Sequence, residues 1–259
     1  MLNYIRAEFY KVLRRRYVWV TLAVVLALEA LFALGWASIH INGTKVDFSS
    51  GIETLVFLLD AGFYAALLTG DMVFAGQYRH GTLKNEVSFG LSRARVYLGK
   101  LLTQTALSVL FCAVMVGFYL ALCAMTQSHD PLSDAGAFQR AGYCFAAAFP
   151  LWVGVQAMTC AMMFLIKSET GAVFAALGIV AVLPNMVWLA SVLISGSDGR
   201  PLGEALMAVY HHMPTVVLSA AAENPADWGL CGKAWLVGAV WLAAFTAIGL
   251  LGFHKKEIK

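Results

Sequence analysis

The chain has 259 residues, of which 60% are hydrophobic and only 13% charged, with a formal net charge of +3 and a mean hydropathy of +0.74. A soluble globular domain is nearer ~45–50% apolar and ~25% charged, and one membrane span takes ~20 apolar residues. The composition therefore excludes an ordinary cytosolic enzyme, a disordered chain and a nucleic-acid-binding domain.

Residues 1–16 carry Arg6, Lys11, Arg14, Arg15 and Arg16. At about 100° per residue, Leu2, Ile5, Phe9, Val12 and Leu13 fall on one arc, and Arg6, Lys11, Arg14 and Arg15 lie outside it. The pattern predicts an amphipathic interfacial helix with its cations among anionic lipid headgroups. The plainer reading is a basic flank to the first span. The apolar run that follows is too long for a cleavable signal and lacks a small-residue cleavage site, so it is expected to be retained as a span.

Six apolar runs, near 17–39, 54–75, 101–126, 141–166, 170–195 and 231–253, are each long enough to cross ~30 Å of hydrocarbon as a helix. None alternates as barrel strands must, and no repeat or linker divides the chain. The expected fold is an all-α polytopic membrane protein, one transmembrane domain over 1–259. Three acids interrupt the apolar runs: Glu29 in the first, and Asp60 and Asp71 in the second. A charge at a helix centre costs ~2.5–3.5 kcal/mol on insertion scales. These acids either line a polar cavity, making them candidates for a cargo pathway, or bond between helices. Gln104, Gln156 and Asn185 read as interhelical hydrogen-bonding groups.

The cations set the orientation. Of the eighteen Lys and Arg residues, fourteen fall on one side: Arg6, Lys11, Arg14, Arg15, Arg16, Arg79, Lys84, Arg93, Arg95, Lys100, Lys167, Lys255, Lys256 and Lys259. Lys45, Arg140, Arg200 and Lys233 fall on the other. The positive-inside rule places the first group, with both termini, in the cytoplasm.

Two polar segments stand out. In Gly76–Lys100, Thr82 is placed to cap a short helix, Gly90 to end it in a left-handed conformation, and Ser92 to cap the next helix. Leu83 and Val87 share a face. The segment is either a helix that docks in a groove on a partner or a solvated basic loop. Beyond the fifth run, 202–210 and 215–222 are apolar but too short to span, and His211, His212 and Pro214 split them. They suit re-entrant or interfacial helices.

Chemistry-bearing motifs are missing. The five cysteines form no CxxC, and the His211–His212 pair has no acidic or Cys cluster beside it. There is no GxxxxGK[ST], HExxH or GxSxG. The expectation is a chain that is not an enzyme, holds no metal or cofactor, and draws energy from another chain.

Gly81-Thr82-Leu83-Lys84, followed by Ser92-Arg93 and by Lys100 at the opening of the third span, resembles the first inner loop of ABC-2-type permeases, the membrane subunits of a class of ATP-binding-cassette transporters. Where many members carry Glu shortly before the Gly-Thr, this chain has Gln77. The resemblance implies a permease of a bacterial plasma membrane, paired with a second permease, identical or different, and with two cytosolic ATP-binding subunits. These partners would hold ATP and Mg. Gly81, Thr82, Leu83, Lys84, Val87, Ser92 and Arg93 would form the ATPase-coupling segment. The cargo would be hydrophobic or amphipathic (a peptide antibiotic, lantibiotic, drug or lipid) and would move outward, in resistance or immunity. An ion-coupled secondary transporter and a non-transporting membrane scaffold or sensor are the rival expectations.

Overall fold

A computed structural model describes residues 1–41, 44–77, 82–195 and 200–255 of the chain. Gly81, the first residue of the expected coupling motif, lies outside them. Helix α1 (Leu2–Leu13) is followed by α2 (Arg16–Ser38), with Arg15 in an extended conformation between them. A two-residue antiparallel ladder pairs His40–Ile41 with Thr44–Lys45. Asp47 then caps α3 (Phe48–Phe57), accepting from the Ser50 amide at 3.0 Å. A 3-10 turn over Leu58–Asp60 leads into α4 (Ala61–Phe74).

The short α5 (Thr82–Ser88) precedes α6 (Arg93–Thr126), whose cap is Ser92. Asp130 caps α7 (Pro131–Leu165). Next come α8 (Glu169–Leu177), a π-helical turn over Gly178–Val182 and α9 (Leu183–Ser195). The wide turn immediately precedes Pro184, which has no amide hydrogen for a regular turn. Helices α10 (Arg200–Tyr210) and α11 (Pro214–Glu223) meet at 73°, and α12 (Trp228–Lys255) closes the described chain.

Among the described residues, six helical stretches are long and apolar enough to cross a membrane: Arg16–Ser38, Phe48–Phe74, Arg93–Thr126, Pro131–Leu165, Glu169–Ser195 and Trp228–Lys255. The chain is a multi-pass membrane protein. Three of the stretches start well before their hydropathy runs, at Phe48, Arg93 and Pro131. In each case a polar cap sets the start: Asp47, Ser92 or Asp130. Polar first turns lower the mean hydropathy without ending the helix.

Helix α7 is the axis of the bundle. Its most apolar stretch is 72% buried, against 11% for α2, so α2 is peripheral. Small residues make this possible: Ala141, Cys144, Ala147, Ala148, Gly154, Ala157 and Ala161 are all buried along α7. Lipid gives little hydrophobic drive for helix association, and close backbone approach supplies dispersion contacts instead. The most extensive helix pair is α7 with α12. At their crossing Gly238 lies directly on the Pro150 carbonyl, and a Cβ at Gly154 would meet the Gly238 oxygen at 3.0 Å.

Buried polar groups fasten α4 and α6 to this axis. The Gln104 amide donates to Gln156 Oε1 at 2.5 Å, and the Gln156 amide donates to the Thr69 hydroxyl at 3.2 Å. The three side chains are 0%, 2% and 2% exposed, so each bond replaces a donor or acceptor that lipid could not satisfy.

Candidate functional site

One end of the bundle gathers α1, α5 and the start of α6. Gly90 (φ +89°) ends α5 in the left-handed region, and the Leu91 amide reaches back to the Glu86 carbonyl at 3.4 Å, a glycine stop. Thr82 lies within α5, and its hydroxyl donates to the Gln77 carbonyl at 3.4 Å. Ser92 accepts from the Arg95 amide at 3.4 Å.

Leu83 and Val87 do share a face of α5, and it turns toward the chain's own interior. Leu83 is 3% exposed and belongs to a buried cluster with Val12, Val96, Tyr97 and Phe164, against which Val87 packs. The opposite face presents Lys84, Asn85, Ser88 and, just past the helix, Phe89, which is 88% exposed. Arg93 also serves the fold: its Nη1 donates at 2.6 Å to the Phe253 and His254 carbonyls at the end of α12. Helix C-termini favour such cations.

A charge network joins the three helices. Lys100 Nζ donates to Glu8 Oε2 at 3.0 Å and lies 3.7 Å from Glu86 Oε2. Lys11 Nζ reaches Glu8 Oε1 at 2.5 Å and Glu86 Oε1 at 3.2 Å. The Tyr4 hydroxyl donates to Glu86 Oε2 at 2.8 Å. The Lys100 and Glu8 side chains are buried, at 0% and 1% exposure. Two carboxylates face two ammonium groups, so the charge of the network sums to zero. Gly99 makes room for α1: the Tyr4 ring occupies the place its Cβ would take.

The electrostatics follow from this pairing. Burial by itself would raise the Glu8 carboxyl, but Lys100 and Lys11 outweigh it and hold Glu8 below its ordinary value. Burial opposes the charge on Lys11, and the bonds to Glu8 and Glu86 outweigh that, holding Lys11 above its ordinary value. The Tyr4 hydroxyl is pushed up by burial first, and then by Glu8 and Glu86.

Sequence reasoning missed Tyr4, Glu8 and Glu86. Two signals were present: Glu8 is the sole acid in 1–16, three residues before Lys11, and Glu86 is the sole acid in Gly76–Lys100. Gln77 sits nearby, buried, with its amide donating to the Val73 carbonyl at 3.0 Å. The acid that links this segment to the rest of the chain stands at position 86, not 77.

A second feature lies at mid-bundle. Helix α2 packs chiefly on α6 and stands away from α3 and α4. This leaves a lateral cleft of about 420 Å³, with Phe145 and Trp152 of α7 at its back. Glu29 lines the cleft, and its Oε2 is buried without a hydrogen-bond partner among the described residues. Asp60 sits in the 3-10 turn between Leu59 and Ala61, which line the cleft; its Oδ1 is also buried and unpartnered among the described residues. Asp71 precedes Met72, a wall residue, and is not itself in the lining. Of the three acids named from sequence, the structure brings only Glu29 into the cleft wall.

Comparison with known proteins comes down on one family. A family model described as ABC-2 family transporter protein matches residues 4–197, which runs from within α1 to just past the end of α9. No curated protein matches the chain.

Proposed function

The chain belongs to the ABC-2 family of transporter proteins, and from that premise we propose that it is the permease subunit of an ATP-binding-cassette exporter, working with two cytosolic ATP-binding subunits and a second permease. The observation that carries the proposal is the charge network. It ties the short helix α5 to α1 and to the first turns of a spanning helix, so that a push on α5 is delivered to the membrane body. The positive-inside bias of the cations supports a cytoplasmic location for this end and both termini, and the family supports a bacterial plasma membrane.

In this reading α5 is the coupling helix, and the partner's ATP and Mg supply the energy. The surface that meets the ATPase is the outward one, with Lys84, Asn85, Ser88 and Phe89; Thr82, Leu83, Val87, Ser92 and Arg93 hold that surface in place. Helix α1 lies along the headgroups, and Arg6 on it, with Arg14 just past its end and Arg16 at the start of α2, meets anionic lipid. The α10–α11 pair enters the outer leaflet without crossing. A hydrophobic or amphipathic cargo moves outward past Glu29, with Asp60 and Asp71 flanking its route.

The docking surface has a direct test. Phe89→Asp combined with Lys84→Glu alters only exposed side chains, so the protein is expected to keep its melting temperature. Recovery of the ATP-binding subunit that co-purifies with the wild-type chain is expected to fall roughly tenfold or more, as when an interface aromatic is lost. Unchanged recovery contradicts α5 as the docking element.

A further inference from the structure

Building on the transporter reading, we infer that the lateral cleft between α2, the α3–α4 span and α6 is a binding site for amphiphilic cations, with Glu29 as the countercharge. Its volume of about 420 Å³ lies within the ~300–1,000 Å³ typical of small-molecule pockets. Leu68, Met115, Phe111, Tyr64 and Trp152 give it an apolar and aromatic wall. Tyr64 and Leu68 are 44% and 49% exposed, so the cleft opens sideways at its mouth rather than being sealed.

The charge of the occupant follows from what the wall lacks. No Lys, Arg or His is among the described residues that line it, and Glu29 Oε2 has no partner among the described residues. A lone carboxylate at this depth is costly. A ligand that brings a cation offsets that cost, and an anion adds repulsion to it. The ring faces of Tyr64, Phe111 and Trp152 offer a cation further attraction. The apolar wall takes the rest of the ligand. The site therefore selects one positive charge carried on a bulky apolar body.

Tetraphenylphosphonium and tetraphenylborate share this shape and differ in charge sign. Equilibrium binding of each is measured on the full chain in lipid nanodiscs, with the signal of empty nanodiscs subtracted. The expected result is saturable binding of the phosphonium that tetraphenylborate does not displace. Glu29→Gln, which keeps the shape, should weaken it roughly tenfold or more, as loss of a charged partner does. Leu68→Trp fills the cleft with Glu29 intact and should weaken it as well, which keeps the test decisive if Glu29→Gln lowers the melting temperature.

Equal phosphonium affinity in the wild type and in both variants overturns the inference. So does displacement by borate, or absence of saturable binding with cross-links showing a second copy in the cleft. Nucleotide-driven phosphonium transport with the ATP-binding subunits separates the two levels. Glu29-dependent binding without transport counts against the exporter reading and leaves the site standing. Transport with Glu29-independent binding does the reverse.

Discussion

Lys100→Met is expected to cost about 3–5 kcal/mol of stability, because removing one partner of a buried ion pair leaves the other charge uncompensated. Lys100 is fully buried and holds Glu8, itself buried, at 3.0 Å. Without it, two carboxylates share only Lys11, which is 39% exposed. Helix α1 is expected to lift away from α6, which would open Arg6 and Lys11 to trypsin and lower the melting temperature. The double variant Lys100→Met, Glu8→Met leaves the Lys11–Glu86 pair at 3.2 Å intact and is expected to recover most of the loss. A melting temperature and tryptic pattern equal to wild type in the single variant would contradict the pairing. So would a double variant no better than the single.

The second large effect is at the α7–α12 crossing. Gly238→Ala puts a methyl group into the Pro150 carbonyl and ring. Backbone cannot swing aside as a flexible side chain does, and α7 is the most buried of the spanning helices. Overpacking of this kind costs about 3 kcal/mol, the upper part of its usual range. Gly232→Ala on the same helix is the control, since its Cβ meets nothing within 4 Å; there the better helix propensity of alanine is worth up to ~1 kcal/mol. Thermal unfolding and the monodisperse yield in detergent should therefore move in opposite directions for the two variants. Equal behaviour would show that α7 and α12 can part without loss.

These two sites differ in how far the sequence shows them. The six spans are legible because hydrocarbon demands an uninterrupted apolar length, and mean hydropathy reports just that. Their true starts are not, because Asp47, Ser92 and Asp130 act through cap geometry, which lowers hydropathy instead of raising it. In Gly76–Lys100, Gly90 and Ser92 were readable as a stop and a cap, since each works within a few residues of chain. The Leu83–Val87 face was readable too. Its direction was not: amphipathicity fixes that a face is buried, not whether the chain's own core or a partner buries it.

The charge network was hidden for a different reason. The links that tie α1 to α5 and α6 span 75 to 92 residues of sequence, and no local period marks such pairs. Glu8 and Glu86 are each a lone acid in a basic stretch, a weak signal until packing brings them together. Glu29 was flagged by its insertion cost alone. That it faces a cleft depends on how α2, α4 and α6 diverge, and pairwise packing of separate helices leaves no trace in the composition of any one of them.

The central claim is that α1, α5 and the start of α6 move as one body when the ATPase acts. Electron–electron distance measurement tests it most directly. Nitroxides are placed at the exposed Asn85 and Arg14, after Cys112 is replaced by Ser; the other four cysteines are buried. A second pair joins Asn85 to the exposed Trp228 at the far end of α12. With the ATP-binding subunits present, addition of ATP is expected to leave the Asn85–Arg14 distance unchanged while the Asn85–Trp228 distance shifts. A nucleotide-dependent change between Asn85 and Arg14 would contradict the claim, since α5 would then be moving free of the network that is held to transmit its motion.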